Sequence, residues 1–277
     1  MTQPGGRRDA PPGPLELLPA PLATIGKYAA PTCTGAGTIR SGIARPSAFD
    51  LWVVDAVLDP GAELRWGTDH GDEAVVVLAG TVDVAGESCP VGTAIVVEAG
   101  ARATLRSDAP ATIVHFGRQT GAHESRPAGG VHIVGPGPAR GTDVAHPEGS
   151  MAAGYYLDST CGTCDLTLLR TSGVGVIRGS SHSHSQDELI RVVAGELHFG
   201  SKVAGAGMTA AIPANRRYAF RASAPFTFLN YRAGPSSITK SDGEAVRESA
   251  ESLGWDDLGV RHVRVSAAGR GAEDGRP

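Results

Sequence analysis

Two histidines and a glutamate are the residues of this chain whose types and spacing best suit metal chemistry. They lie in the segment His182-Ser-His184-Ser-Gln-Asp-Glu188. On extended backbone His182 and His184 share one face, and Glu188 keeps the same even-numbered phase. Two imidazoles and a carboxylate form a facial ligand set for a divalent transition metal, with further positions left open. The spacing predicts a metal site, and the competing interpretation is a solvated His/Ser loop before a strand with an exposed glutamate.

The elements that must position these residues are short strands. The 277 residues include 38 glycines and 19 prolines, about a fifth of the chain, and strand-sized apolar stretches alternate with turn signals. This composition favours an all-β sandwich or barrel over long helices. A net charge of −4 argues against a broad nucleic-acid surface, and no apolar run is long enough to span a membrane. We therefore expect a small-molecule substrate as the partner, with no nucleic acid and no membrane.

The same register recurs 115 residues later and holds without a gap for more than sixty residues. Turn glycines and an Ala-Pro pair stay in phase, which chance apolar similarity would not achieve. We interpret the pattern as an internal duplication of one β domain. The matched pairs are Asp50/Asp165, Leu51/Leu166, Glu73/Glu188, Gly80/Gly195, Gly92/Gly207, Arg102/Arg217, Arg106/Arg221, Pro110/Pro225 and Thr112/Thr227.

The histidine segment resembles the first motif of the cupin superfamily, G-x5-H-x-H-x3,4-E-x6-G, with only the first glycine out of step. The stretch that begins at Gly207 resembles the second motif, G-x5-P-x-G-x2-H-x3-N. There Pro213 matches and Asn215 replaces the second glycine, a substitution that a turn tolerates. Together with the duplication, the resemblance implies a bicupin: two tandem jelly-roll-like cupin β-barrels, with a short C-terminal helix added.

Tyr218 stands where cupins usually have their last metal-binding histidine, and Ala222 replaces the final Asn of the motif. Three interpretations of Tyr218 remain open. The side chain could ligate the metal as a phenolate, act beside the metal as a hydrogen-bond donor or general acid/base, or only fill the space of the missing histidine. We favour the position beside the metal, because a neutral phenol needs no pKa shift to be useful there.

Two further residues are weaker catalytic candidates. Asn230 lies in phase with inward-facing aromatic residues of the last strand, and its counterpart in the first copy is His115. Arg178 is in phase with the two histidines and could bind a substrate carboxylate. For both, an ordinary strand residue is the alternative.

The first copy has lost most of the motif. Gly67 and Asp69 stand at the positions of the two histidines, whereas Glu73 remains. Asp69, His70 and Glu73 could in principle hold a metal, but His70 follows Asp69 directly and must face the other way. We therefore expect one divalent transition metal, in the C-terminal domain only, with Fe(II) favoured and Zn, Ni or Mn as alternatives.

The predicted organisation has five segments. They are a flexible Pro-rich N-terminus (1–22), a degenerate cupin domain (23–118), a linker (119–150) with one short strand near 131–134, a metal-binding cupin domain (151–265) and a disordered tail (266–277). A helix is expected over 242–253, ending at Gly254.

Four cysteines do not make a disulfide framework in a chain of this size, and the proline-rich N-terminus lacks the apolar core of a signal peptide. We expect a cytoplasmic protein with reduced thiols. Cys161 and Cys164 form a single CxxC, which lacks the second pair usual in structural zinc sites. Free thiols are expected there, with a disulfide as the oxidised form. A homodimer is one possible oligomeric state.

These residues predict a metal-dependent enzyme that acts on a small organic substrate. The resemblance to cupins favours a non-haem Fe(II) dioxygenase or related oxygenase, because open cis positions would admit substrate and dioxygen together. One alternative is a non-redox isomerase, lyase or dehydratase in which Zn, Ni or Mn polarises a carbonyl and Tyr218 moves a proton. A further alternative is a small-molecule binding cupin without turnover.

Overall fold

The fold is all-β, as predicted, with two jelly-roll-like β-barrels in tandem. The computed structural model describes residues 12–22, 28–119 and 129–266. The helix Ala250–Leu253 is four residues long. No helix of these described ranges is long and apolar enough to cross a membrane.

The first barrel has a five-stranded sheet, β2-β5-β10-β7-β8, and a second sheet, β12-β9-β6-β11-β4-β3, to which the strand His262–Ser266 adds as a seventh strand beside β12. Their apolar faces enclose a core that contains Trp52, Trp66 and Leu105. The bounds are β1 (Glu16–Pro19), β2 (Cys33–Ala36), β3 (Ile39–Ala44), β4 (Leu51–Leu58), β5 (Ala62–Trp66), β6 (Glu73–Ala79), β7 (Thr81–Val84), β8 (Glu87–Pro90), β9 (Ala94–Val97), β10 (Ala103–Ser107), β11 (Ala111–Arg118) and β12 (Gly130–Val134).

The second half repeats this architecture around a core that contains Ile190, Phe220 and Phe228. Its large sheet has the order β1-β20-β17-β22-β15-β14-β13-β25, with β18, β19 and β21 attached, and β16-β23-β24 form a small sheet. The bounds are β13 (Arg140–His146), β14 (Glu148–Leu157), β15 (Leu166–Arg178), β16 (Ser183–His184), β17 (Glu188–Ala194), β18 (Glu196–Phe199), β19 (Lys202–Gly205), β20 (Met208–Ile212), β21 (Arg221–Ala222), β22 (Phe226–Ala233), β23 (Ser237–Thr239), β24 (Ala245–Arg247), α1 (Ala250–Leu253), β25 (Asp256–Asp257) and β26 (His262–Ser266).

The duplication read from the sequence is visible at the level of single hydrogen bonds. Asp72 accepts a bond from the backbone N–H of Ala99 at 2.6 Å, and Asp187 accepts the equivalent bond from Ala214 at 2.8 Å. Equivalent aspartates therefore fix the turn before β6 and the turn before β17 to the residues that follow the neighbouring strand.

The two barrels pack through equivalent faces. Phe116 and Tyr231 occupy matching positions in β11 and β22, and their rings stack with centroids 5.4 Å apart. The Tyr231 hydroxyl donates to the carbonyl oxygen of Asp72 at 3.0 Å. Arg191 pairs with Asp55 across the same interface and is 6% exposed. Residues from both halves thus form one continuous apolar cluster between the barrels.

Each end of the chain adds a strand to the opposite barrel. β1 pairs with β20 of the second barrel, and β26 pairs with β12 on the first-barrel sheet. The prediction of a flexible N-terminus is therefore wrong for residues 12–22, because Leu15 is buried and β1 is hydrogen-bonded to β20. Residues 1–11 lie outside the described residues, as does the tail after 266.

The predicted linker also differs from the structure. Its short strand at 131–134 is confirmed as part of β12. Residues 140–150, however, lie in β13 and β14, which extend the large sheet of the second half. Glycines in this stretch lie where neighbouring backbone approaches closely, so they mark tight strand packing as well as loops.

The predicted helix over 242–253 is too long. Residues Ala245–Arg247 form β24, and the helix occupies only the last turn. Ser249 caps it by accepting a hydrogen bond from the Ser252 N–H, so the cap lies well after the predicted one. Gly254 ends the helix in the left-handed conformation, as expected.

The prediction of reduced thiols is wrong for one pair of cysteines. Cys161 and Cys164 form a disulfide, the oxidised form that the sequence left open. Cys33 and Cys89 are buried free thiols. Burial raises the pKa of the Cys89 thiol to about 12, so this group is inert at neutral pH.

Gly195 provides a test of the repeated turn. Its φ is +72°, and a Cβ on it would overlap the carbonyl oxygen of Pro225, just as a Cβ at the equivalent Gly80 would overlap that of Pro110. Gly195→Ala should lower the free energy of unfolding by about 1 to 2 kcal/mol through strain and by about 1 to 3 kcal/mol more through overlap. Urea denaturation measures the loss.

Gly200→Ala is the matched control. Gly200 has a φ of +63°, and no atom lies within 4 Å of the point where a Cβ would stand. Its counterpart in the first copy, Ala85, already adopts a φ of 55°. This variant should lose only the part of the unfolding free energy that the strained φ costs. Equal losses in the two variants would contradict the packing argument.

Candidate functional site

Short backbone bridges hold the two histidines in place. His182 and Tyr218 exchange backbone hydrogen bonds of 3.0 and 2.9 Å. The Asn215 N–H donates to the carbonyl oxygen of His184 at 2.6 Å. Asn215 has a φ of 61°, so it adopts the left-handed conformation that the motif's glycine would supply. The strained turn of the second motif thus supports the histidines of the first.

Each imidazole is oriented through its Nδ1 atom. The Nδ1 of His182 lies 2.7 Å from the carbonyl oxygen of Ser180, and that of His184 lies 2.9 Å from Oε2 of Glu248. Both acceptors are oxygens, so each Nδ1 carries the proton and each Nε2 keeps its lone pair. Burial lowers the pKa of His182, which favours this neutral form. This is the protonation pattern of metal-binding histidines whose second nitrogen is held by an oxygen.

Glu188 begins β17 and is 1% exposed. Its Oε1 accepts a hydrogen bond from the side chain of Asn230, which faces inward from β22. Its Oε2 is buried without a hydrogen-bond partner in the ranges that the structure describes. Burial alone would raise the pKa of Glu188, but the electrostatic interactions with the His184 imidazole and the Arg232 guanidinium outweigh it and lower the pKa. The carboxylate is therefore ionised and has one oxygen available.

Arg232 fills the centre of this site. Its guanidinium is 1% exposed, and Nη2 lies 2.8 Å from Oε1 of Glu188 and 3.2 Å from Nε2 of His184. Its Nη1 pairs with Oε1 of Glu248. The guanidinium is charged at all relevant pH values. It therefore supplies, from within the chain, the positive charge that two buried carboxylates require.

Glu248 reaches the barrel from the turn that precedes α1. The Tyr155 hydroxyl donates to Oε1 of Glu248 at 3.1 Å, and the Ser159 hydroxyl donates to the backbone carbonyl oxygen of Glu248 at 2.8 Å. Burial would raise the pKa of Glu248, but the charge of Arg232 and the hydrogen bond from His184 outweigh it and lower the pKa to about 2. The carboxylate thus links the arginine to the histidine.

The donor types of the site suit a divalent cation. Two imidazole Nε2 atoms and the free Glu188 oxygen are the donors that transition metals prefer. The space between His184 and Glu188 is taken by Nη2 of Arg232, and a second cation cannot share it. Metal binding therefore requires that the guanidinium leave this position, where its existing bond to Glu248 can retain it, and that the ligand atoms of His182, His184 and Glu188, which do not all lie within 4.8 Å of one another, move closer together.

Tyr218 lies beside the histidines, at the position where the sequence predicted it. Its ring centroid is 4.6 Å from that of His182 and 6.1 Å from that of Phe199. Burial, and then the charge of Glu188, raise the pKa of the phenol well above its usual value. In this environment the hydroxyl keeps its proton.

Arg178 lies elsewhere. It is exposed at the end of β15, and its neighbour Ile177 turns into the core instead. The structure therefore does not bring Arg178 to the buried cluster, because the odd-numbered Leu169 and Ile177 of β15 face the core and residues 179–181, which lie outside the strands, interrupt the alternation before the histidine segment.

Sequence reasoning missed Arg232 and Glu248. Arg232 continues the inward phase of Phe228 and Asn230 on β22, so the same periodicity could have found it. Glu248 had no such signal, because a turn that folds back from the C-terminus brings it in.

The first barrel keeps the buried glutamate of this site but lacks both histidines. Glu73 and His115 pair at 2.8 Å, in the positions of Glu188 and Asn230. The indole of Trp66 also donates to Glu73, at 2.7 Å, and packs edge-on against His115. Gly67 and Asp69 are exposed. Aromatic side chains thus fill the space that the second barrel gives to its histidines.

Comparison with known proteins identifies the fold. No protein-family profile and no curated protein sequence matches the chain. Among solved structures, a protein described as glyoxylate-induced from Pseudomonas aeruginosa superposes with a TM-score of 0.57 at 13% identity, over 83% of this chain and 92% of that one. The oxalate decarboxylase of Bacillus subtilis, for which Mn(II) centres are described, gives a TM-score of 0.51 at 13% identity over 76% and 75%. These likenesses show that the chain has the cupin fold.

Replacing Arg232 tests its role as the internal cation. Arg232→Met leaves Glu188 and Glu248 buried without their counter-charge and should cost about 3 to 5 kcal/mol of unfolding free energy. Mn(II) should restore part of that loss, by about 2.7 kcal/mol at a hundred times its Kd. Chemical denaturation with and without Mn(II) measures both effects.

Arg191→Met is the control, since Arg191 is also buried and pairs with Asp55 away from the site. It should lose stability without any recovery by Mn(II). The same recovery in both variants, or in neither, would contradict the assignment.

Proposed function

We propose that the chain is a bicupin enzyme whose second barrel binds a divalent metal through His182, His184 and Glu188. The observation that carries the proposal is the orientation of the donors. Both histidines commit Nδ1 to an oxygen, and Glu188 keeps one buried oxygen without a partner among the described residues. A buried polar atom without a partner is costly, and a bound cation would remove that cost. The likeness to a decarboxylase with Mn(II) centres is consistent with this use of the fold.

The proposed reaction is oxygenation of a small organic substrate by a non-haem Fe(II) centre. Such a metal would supply adjacent open positions for a bidentate substrate and dioxygen. Arg232, once displaced toward Glu248, would present its free N–H groups to an acidic oxygen of the substrate. This role replaces the one that the sequence suggested for Arg178. The phenylalanines of the core would exclude water from the reacting atoms.

Tyr218 supports a second candidate, a non-redox isomerase, lyase or dehydratase. The phenol lies beside His182 and keeps its proton, so it can donate a hydrogen bond to a substrate oxygen. In that reaction Zn, Ni or Mn would polarise a carbonyl, and Tyr218 would hold the proton that the substrate oxygen receives. Iron in protein purified without chelators, with oxygen consumption, would favour oxygenation, whereas colourless protein with zinc would favour the second candidate.

Metal binding is tested by Mn(II) titration of the protein with its disulfide intact. We expect one ion per chain, and His182→Ala and Glu188→Gln should each weaken binding by at least about tenfold, since two remaining ligands make a poor site. Glu73→Gln is the matched control in the first barrel and should leave the affinity unchanged. Equal weakening by Glu73→Gln would place the metal elsewhere.

Tyr218→Phe separates the three interpretations of the phenol. A proton-donating phenol predicts that the variant keeps the metal and loses about 100-fold or more in kcat. Metal content and turnover of the same preparation are the measurements. Loss of the metal would indicate ligation, and full retention of metal and turnover would leave only a space-filling role.

A further inference from the structure

A second group of metal-ligating side chains lies between the barrels, away from the second-barrel site. His132 lies on β12, and Cys161 and Cys164 lie in the turn before β15. One ligand atom from each residue lies within 4.8 Å of the other two. The sequence did not reveal this group, because 29 residues separate the histidine from the nearer cysteine. The fold supplies the third ligand that the CxxC pair lacks.

The geometry around the sulfurs suits thiolates. The Cys164 N–H points at Sγ of Cys161 at 3.1 Å, and Nε2 of His132 lies 3.8 Å from the same sulfur. A backbone donor aimed at sulfur stabilises the charged form. Cys164 is buried and Cys161 is half-buried, so the pair is anchored on one side and reachable on the other.

The surroundings of His132 allow its Nε2 atom to bind a metal. Its Nδ1 lies 3.0 Å from Nε2 of His262, which can accept a proton there. Nε2 now contacts Glu98 at 2.6 Å. Glu98 does not depend on that contact, because Arg264 donates to both of its oxygens at 3.0 and 2.7 Å and Gly130 donates a backbone N–H. A shift of the proton to Nδ1 therefore frees the lone pair without leaving a buried charge unpaired.

A cavity of about 450 Å³ adjoins the three residues. His132, Cys161 and His262 are on its wall, together with Asp158. An ion can enter from this side, and a fourth ligand from solvent can complete the coordination. Two sulfurs, one imidazole and an open fourth position form a donor set that zinc accepts in tetrahedral geometry.

We propose that the reduced chain binds one zinc ion through Cys161, Cys164 and His132, at the junction of the two barrels. The disulfide seen in the structure is the form that cannot bind. A thiol or phosphine reductant supplies two electrons to the S–S bond, and each sulfur takes up one proton. Zinc binding then releases both thiol protons. The oxidation state of the pair thus controls occupancy of the site.

Cobalt(II) is the probe for this site, because thiolate ligation gives a sulfur-to-cobalt charge-transfer absorption that nitrogen and oxygen ligands do not give. The folded protein is reduced with a phosphine, freed of reductant and titrated anaerobically. We expect the band to saturate with one cobalt ion bound at the thiolate site of each chain and to disappear when zinc is added. The untreated, disulfide-bonded protein should give no band.

Variants locate the ligands and separate this site from the one in the second barrel. Cys161→Ser and Cys164→Ser should abolish the band, and His132→Ala should weaken cobalt binding by at least about tenfold. Glu188→Gln should leave the band intact, so failure of one site is distinguishable from failure of the other. The proposal is overturned if the reduced wild-type chain, folded by circular dichroism, gives no band, or if His132→Ala binds cobalt as tightly as wild type.

Discussion

The buried guanidinium of Arg232 is the constraint on which the second barrel depends. Two carboxylates, Glu188 and Glu248, lie in an interior that would otherwise exclude them, and only a positive charge within contact distance makes their ionised forms stable there. The same group orients His184, because the imidazole donates to one carboxylate and faces the arginine with its lone pair. The guanidinium occupies the space between His184 and Glu188 that the proposed metal would need, so arginine and metal would be alternative solutions to one electrostatic requirement.

The interface between the two halves explains why the chain keeps the first barrel, which lacks the two histidines. The two halves meet through equivalent faces, with Phe116 stacked on Tyr231, so removal of either half would expose a large apolar surface. In the first barrel Trp66 and His115 both bond to Oε2 of the buried Glu73, whose Oε1, like Oε2 of Glu188, has no hydrogen-bond partner among the described residues. That barrel packs against the other through this face, and it has the exposed Gly67 and Asp69 at the positions of His182 and His184.

Much of this organisation could be predicted from the sequence, because period-2 alternation and in-phase turn glycines are local signals. They indicated the all-β fold, the repeat, the turn at Asn215 and the inward position of Asn230. The features that the sequence did not predict depend on segments that are distant in sequence and meet only in the folded chain. Glu248 arrives from a turn after the barrel. Arg178 faces outward because the odd-numbered residues of β15 point into the core and the alternation is interrupted at 179–181, before the histidines. The strand exchange of the two termini likewise has no local signature.

The most direct test of the central claim is an anomalous difference map from crystals of the protein equilibrated with Mn(II), with the disulfide intact. The account predicts one peak in the second barrel, bonded to Nε2 of His182 and His184 and to Glu188, with the guanidinium of Arg232 moved out of its position between His184 and Glu188. A map without a peak there, with Arg232 still bridging the two residues, would contradict it.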